Sequence, residues 1–237
     1  MDHRSGDMGE TRRGIDPMWW ECGGLSYGNL LVRAPCSQVV AKLRGYRDAP
    51  THVGDLLAED GMMIGPVRDD PVVVYQLRGH EWTQIHDYIM VSSCELASDL
   101  SRRLGTRTYE YGWEDVASAL FYQIFDEGEL IEVYSMCHNL PIYEGAVGEA
   151  DLARKQRDGW RISRDHTFEF FTRRGTELDV ESPKECDALP ERVAANLGMF
   201  VACMPFWHCR ETGRIVRAGG WDRGKFEAAY VLWTPKS

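Results

Sequence analysis

The sequence lacks a long apolar run, an excess of positive charge and any regular spacing of its cysteines, and each lack narrows what the chain can be. A membrane-crossing helix needs about 18 or more consecutive apolar residues. The most apolar stretch, residues 189–207, is interrupted by Glu191, Arg192, Asn196 and two prolines. No membrane span is expected. Residues 1–16 are polar and of mixed charge, without the apolar segment of a secretory signal, so no export signal is expected there either. The chain also has no Asn-x-Ser/Thr acceptor, and its seven cysteines (Cys22, Cys36, Cys94, Cys137, Cys186, Cys203, Cys209) are odd in number and irregularly placed. A secreted disulfide framework favours an even, patterned set. Reduced thiols in a cytoplasmic protein, most of them packed as small apolar groups, are the expectation.

The formal charge is -10, from 37 acidic and 27 basic side chains. Proteins that bind nucleic acid draw affinity from clustered Lys and Arg that displace counterions from phosphates. The pairs Arg102–Arg103 and Arg173–Arg174 sit within an acidic whole, so nucleic acid is not the expected partner. The summed field favours a basic protein partner instead, although acidity also serves plain solubility.

With 43% apolar and 27% charged residues the composition is that of a globular protein. A chain of 237 residues can remove roughly 70% of its unfolded surface from water. No Pro/Gly/Ser-rich linker divides it, which predicts a mobile tail over residues 1–16 and one domain over 17–237, ordered from Met18-Trp19-Trp20 onward.

The pattern along the chain mixes helices and strands. Residues 30–34 read as a strand, and Val39, Val40 and Leu43 have helical spacing within 36–43, with Gly45 as a stop. Residues 48–70 read as irregular. The β-branched run Val72-Val73-Val74-Tyr75-Gln76-Leu77 is the clearest strand. Ser92 and Glu95 have capping-box spacing ahead of Leu96, Leu100 and Leu104, and Gly105 ends that helix. Strands follow at 106–110, 119–125 and 129–134, the last two joined by the hairpin signal Asp126-Glu127-Gly128. Residues 151–161 read as a solvated charged helix and 168–172 as a strand. An apolar helical stripe runs through Leu189, Val193, Leu197 and Phe200. Residues 213–218 and 228–233 suggest a closing hairpin around Gly219-Gly220. Without the alternation of a doubly wound sheet, this predicts an α+β fold, a largely antiparallel sheet with flanking helices. A similar order of elements on either side of residue 150 is compatible with an internal duplication.

Several groups carry chemistry in principle. His80-Glu81 opens like a zinc-protease signature, but the next histidine, His86, stands six residues on, where the signature requires four. His86 and Asp87 remain candidates for a site beyond the strand 72–77. Cys203, His208 and Cys209 form the densest group of soft ligands and are weak zinc candidates, with Cys186, Cys137 and His138 able to add to them only in space. Cys137 and His138 are neighbours, which on a strand directs them to opposite faces and counts against a nucleophile–base pair. The glycine-rich segments at 23–28 and 219–224 lack a phosphate-loop pattern and read as turns. A run of carboxylates, Glu110, Glu114, Asp115, Asp126, Glu127, Glu129 and Glu132, is interleaved with Tyr109, Tyr111, Trp113, Tyr122 and Tyr134. Aromatic anchors dominate protein interfaces and opposite charge steers encounter.

No complete catalytic signature stands in the chain and no cofactor is implied. The expectation is a non-enzymatic binding protein that recognises a basic protein, an immunity or antitoxin role being one form, through Glu110, Trp113, Glu114, Asp115, Glu129 and Glu132. The alternative is an enzyme, metal-dependent in one version, built on residues near 80–87 and 203–209. Eight tryptophans are compatible with a homo-oligomeric interface and equally with a filled core.

Overall fold

The computed structural model describes residues 26–46, 49–58, 61–68, 71–87, 94–114, 119–137, 149–164, 168–173, 198, 206–209, 212–217 and 222–236. In chain order these hold β1 (Ser26–Val32), α1 (Cys36–Leu43), β2 (His52–Asp55), β3 (Gly61–Met63), β4 (Val72–Leu77), β5 (Thr83–Asp87), α2 (Cys94–Leu104), β6 (Arg107–Glu114), β7 (Ala119–Asp126), β8 (Glu129–Cys137), α3 (Glu149–Arg157), β9 (Arg161–Arg164), β10 (Phe168–Thr172), β11 (Phe206–Cys209), β12 (Arg214–Arg217) and β13 (Phe226–Trp233). Ten strands form one antiparallel sheet in the order β2-β13-β4-β5-β1-β6-β7-β8-β10-β9, and β11-β12-β3 form a second. The fold is sheet-dominated α+β.

Local chemistry accounts for the elements that fix this frame. In α1 the buried residues are Cys36, Val39, Val40 and Leu43, an apolar stripe at helical spacing. Pro35 occupies its N-cap and has no capping side chain. The Cys36 N–H instead donates to Gln76 Oε1 at 3.1 Å, so β4 supplies one of the missing acceptors. At the end of α2, Gly105 takes φ +59°, and Thr106 N donates to Ser101 O while Gly105 N donates to Arg102 O, the paired bonds of a Schellman closure. Between β7 and β8, Glu127 (φ 53°) and Gly128 (φ 86°) are both left-handed, the backbone of the two-residue turn whose twist matches a hairpin.

Alternation along the strands sends neighbours to opposite faces of the large sheet. One face, carrying Leu30, Val32, Val74, Ile85 and Leu232, packs against α1 and against Ala97 and Leu100 of α2. The other face, at the β4–β13 end, packs against the second sheet: Val73, Tyr75, Phe226, Ala229 and Val231 meet Ile64, Phe206 and Ile215. The Met62 thioether lies over Gly54 of β2, where a Cβ would come within 2.2 Å of the sulfur and make that side chain move.

Three sequence expectations change. The closing hairpin does not form: β12 lies between β11 and β3 in the small sheet, whereas β13 is inserted between β2 and β4 in the large one. The 48–70 segment contains β2 and β3, short strands whose Gly-rich sequence masked any period-two signal. His86, expected only as part of a site beyond the strand 72–77, stands within a further strand, β5, that the sequence pattern did not mark. The tail over 1–16, Met18-Trp19-Trp20, Ser92 and the stripe through Leu189, Val193, Leu197 and Phe200 lie outside the described residues.

Candidate functional site

The densest set of buried polar side chains lies in a row across the face opposite the helices. Asn29 on β1 pairs in register with Tyr111 on β6, and its Nδ2 donates to the Tyr111 hydroxyl at 2.9 Å. Asn29 Oδ1 lies 3.0 Å from Nδ1 of His86 on β5. Since the amide oxygen only accepts, Nδ1 carries the proton and a neutral His86 is held in one tautomer. One strand over, Tyr75 donates to Gln84 Oε1. On the other side of Tyr111 the rings continue: Tyr109 stands 5.6 Å from Tyr111 and 5.7 Å from Tyr122, and Tyr122 stacks on Tyr134 at 5.5 Å. The row ends where Tyr122 donates to Glu132 Oε1 at 2.9 Å, across a strand diagonal. All of these side chains are buried.

Burial sets the electrostatics of the row. It lowers His86 to about 4, so the imidazole is neutral at pH 7. Burial, and then the charge of Glu132, raises Tyr122 well above the usual tyrosine range. Tyr75 is raised by burial alone. On the helix face the Cys36 thiol, 3.7 Å from Val74 O, is pushed up to about 12 by burial. It is therefore a protonated apolar group and not a nucleophile.

The residues expected at a docking face separate. Glu110 (2% exposed) and Glu132 (0%) are both buried, and on opposite faces of the sheet, since Glu110 stands in register with Leu30 on the helix side. Neither is available to a partner as the chain stands. Glu129 is exposed beside the β7–β8 turn, its carboxylate 3.2 Å from Arg173. Glu127 in the turn is exposed as well. Trp113 and Glu114 belong to the end of β6, Asp115 lies outside the described residues, and the side chains of the first two are likewise outside the description. Among the described residues Lys and Arg slightly outnumber Asp and Glu, so the chain's acidity is contributed by the remainder.

Of the candidates for chemistry, His86 enters the buried row, while His80 sits in the turn after β4 with its backbone N–H on Leu77 O. His208 and the backbone of Cys209 belong to β11 in the small sheet, and Cys203 lies outside the described residues. Among the described residues no group of three or more His, Cys, Asp or Glu is placed to hold a metal ion. Nor is any helix there long and apolar enough to cross a membrane.

Sequence reasoning missed Asn29, Tyr75 and Gln84. The signal available was period two, with Gln84 and His86 alternating with Ile85 in β5, whereas Asn29, between Gly28 and the apolar Leu30-Leu31-Val32, carried no local signal. No known protein family, curated protein or solved structure matches the chain.

Proposed function

We propose that this chain is a non-enzymatic binding protein that recognises a basic protein partner, with the β7–β8 hairpin tip as part of the contact. One observation carries the reading: His86 and Cys36 are tied up inside the sheet, while the carboxylates of Glu127 and Glu129 stand exposed at a tight turn. His86 is neutral and bound through Asn29 to Tyr111, and the Cys36 thiol is protonated. Glu127 and Glu129 flank a glycine whose left-handed backbone closes the hairpin, so their separation is set before a partner arrives. The formal charge of -10 supports electrostatic steering toward a basic surface. An inhibitor that masks such a surface, in the manner of an immunity protein or antitoxin, is one concrete form. The odd cysteine count supports a reducing, cytoplasmic setting.

The test begins with native mass spectrometry of the protein purified gently from its host. The partner found is then titrated against wild type and the Glu127→Lys/Glu129→Lys double variant. The proposal expects a basic protein in fixed stoichiometry, about tenfold or more weaker binding by the variant, and binding that weakens as salt rises. Equal binding by the variant would remove the hairpin from the interface and the electrostatic reading with it. A mass excess matching zinc would favour the enzyme alternative, starting from His208.

A further inference from the structure

We propose that a cleft between α1, α2 and the large sheet binds a small, uncharged, apolar molecule. The cleft has a volume of about 320 Å³. Its floor is Val72 of β4 and Leu232 of β13; Leu43 of α1 and Leu96 of α2 form its walls; Tyr46, Ala49 and Pro50, in the connection leading to β2, form its rim. This is the lower end of the size range of ligand sites, which suits a one- or two-ring hydrocarbon skeleton and not a nucleotide or a helix.

Polarity selects the class of ligand. Among the described residues that line the cleft, Tyr46 brings the only side-chain polar atom, and its hydroxyl proton is already donated to Asp99 Oδ2 at 2.6 Å. Asp99 in turn is held by Arg103 at 2.6 Å and Arg102 at 3.6 Å, and the Arg103 guanidinium lies 4.5 Å from the Tyr46 ring centroid. One carboxylate and two guanidiniums leave one net positive charge behind the rim, and none of the three is among the described residues that line the cleft. The described side chains around it are mostly apolar, so an apolar guest that removes their surface from water gains by filling it. A charged ligand would give up hydration that the described lining side chains, apolar apart from Tyr46, do not replace. The cleft therefore rejects the lysine or arginine side chains of a basic protein, which makes this site independent of the hairpin contact.

The same network stabilises the rim. With its hydroxyl on α2 and its ring under Arg103, Tyr46 is a fixed wall, and Ala49 N donates back to Tyr46 O at 3.1 Å. A site whose walls are set before binding loses less conformational entropy when it fills.

Crystals of the full chain exposed to bromobenzene would place the guest by its anomalous signal, and calorimetry in solution would compare toluene with benzoate. The inference expects a bromine peak between Leu43, Val72, Leu96 and Leu232, saturable one-to-one binding of toluene, and benzoate weaker by about tenfold or more. Ala49→Phe, which fills the cleft from its partly buried rim, should weaken toluene by about tenfold or more. A peak elsewhere, no peak, or full toluene affinity in Ala49→Phe would overturn the assignment. Should Ala49→Phe fail to fold, the position of bromine in the wild-type crystal decides alone.

Discussion

The two faces of the ten-stranded sheet are made by the same strands and both pack apolar clusters, but one of them also carries a continuous row of hydrogen-bonded polar side chains. Asn29 and Leu30 are adjacent in β1; the first enters the hydrogen-bonded row with His86 and Tyr111, and the second packs under the helices. On the helix face, Leu30, Val32, Val74, Ile85 and Leu232 meet Val39, Val40, Leu43, Ala97 and Leu100. That contact is non-directional and scales with the area removed from water. On the other face, Tyr75, Gln84, His86, Asn29, Tyr111, Tyr122 and Glu132 each depend on a neighbour's donor or acceptor. The helix face should therefore respond to lost volume and the tyrosine row to a lost partner or proton.

The largest effect is expected on the helix face. Leu100 of α2 is fully buried in the aliphatic cluster. Leu100→Ala should cost about 2–5 kcal/mol, the lost transfer energy plus the cavity left behind. Urea unfolding should show this as a lower midpoint at unchanged slope. A loss below about 1 kcal/mol would mean that α2 is not close-packed on the sheet.

The tyrosine face should respond to pH where the helix face does not. The folded pKa of His86, about 4, lies below the unfolded value of 6.5. The unfolded chain therefore binds more protons between those two values. Stability from this group is fully present above pH 6.5 and is lost as pH falls toward 4, by up to about 3 kcal/mol. His86→Gln removes the titrating group, so the difference between wild type and variant should shrink steadily from pH 7 to pH 4. A parallel pH dependence in the two proteins would show that His86 is not neutral and buried in the native state.

How much of this was legible in the sequence follows from the same contrast. The aliphatic face announces itself locally: the helix 36–43 and the strand 72–77 are found where Val39, Val40, Leu43 and the valine run predict them, because apolar periodicity reports burial directly. The β7–β8 hairpin is found where Asp126-Glu127-Gly128 predicts it, because its turn needs left-handed backbone. The tyrosine face is a product of long-range register. Asn29 meets Tyr111 across 82 residues and His86 across 57. A pattern read along one strand sees only that a polar residue interrupts it. Glu110 and Glu132 misled for the same reason: a carboxylate in an aromatic strand reads as a solvated face, and only the pairing of strands reveals that both are enclosed. The fate of β13, separated by sheet order from the β12 that precedes it, is equally a matter of topology that turn residues do not encode.

The smallest effect is the sharpest separation of the two faces, because it changes a hydrogen bond and almost no volume. Tyr122→Phe keeps the ring that stacks on Tyr134 at 5.5 Å and removes only the hydroxyl that donates to Glu132 at 2.9 Å. If packing governed this face as it governs the other, the substitution would be close to neutral. Because Glu132 is fully buried and accepts that proton, the loss should instead be about 1–3 kcal/mol, the cost of weakening the solvation of an enclosed acceptor. The double variant Tyr122→Phe/Glu132→Gln tests the cause. If the carboxylate's charge is what makes the missing hydroxyl expensive, a neutral amide at position 132 should recover part of the loss, giving a coupling of about 0.5 kcal/mol or more in denaturant unfolding. Strict additivity of the two substitutions would show that Tyr122 and Glu132 do not act as a pair, and that this face too is held by packing alone.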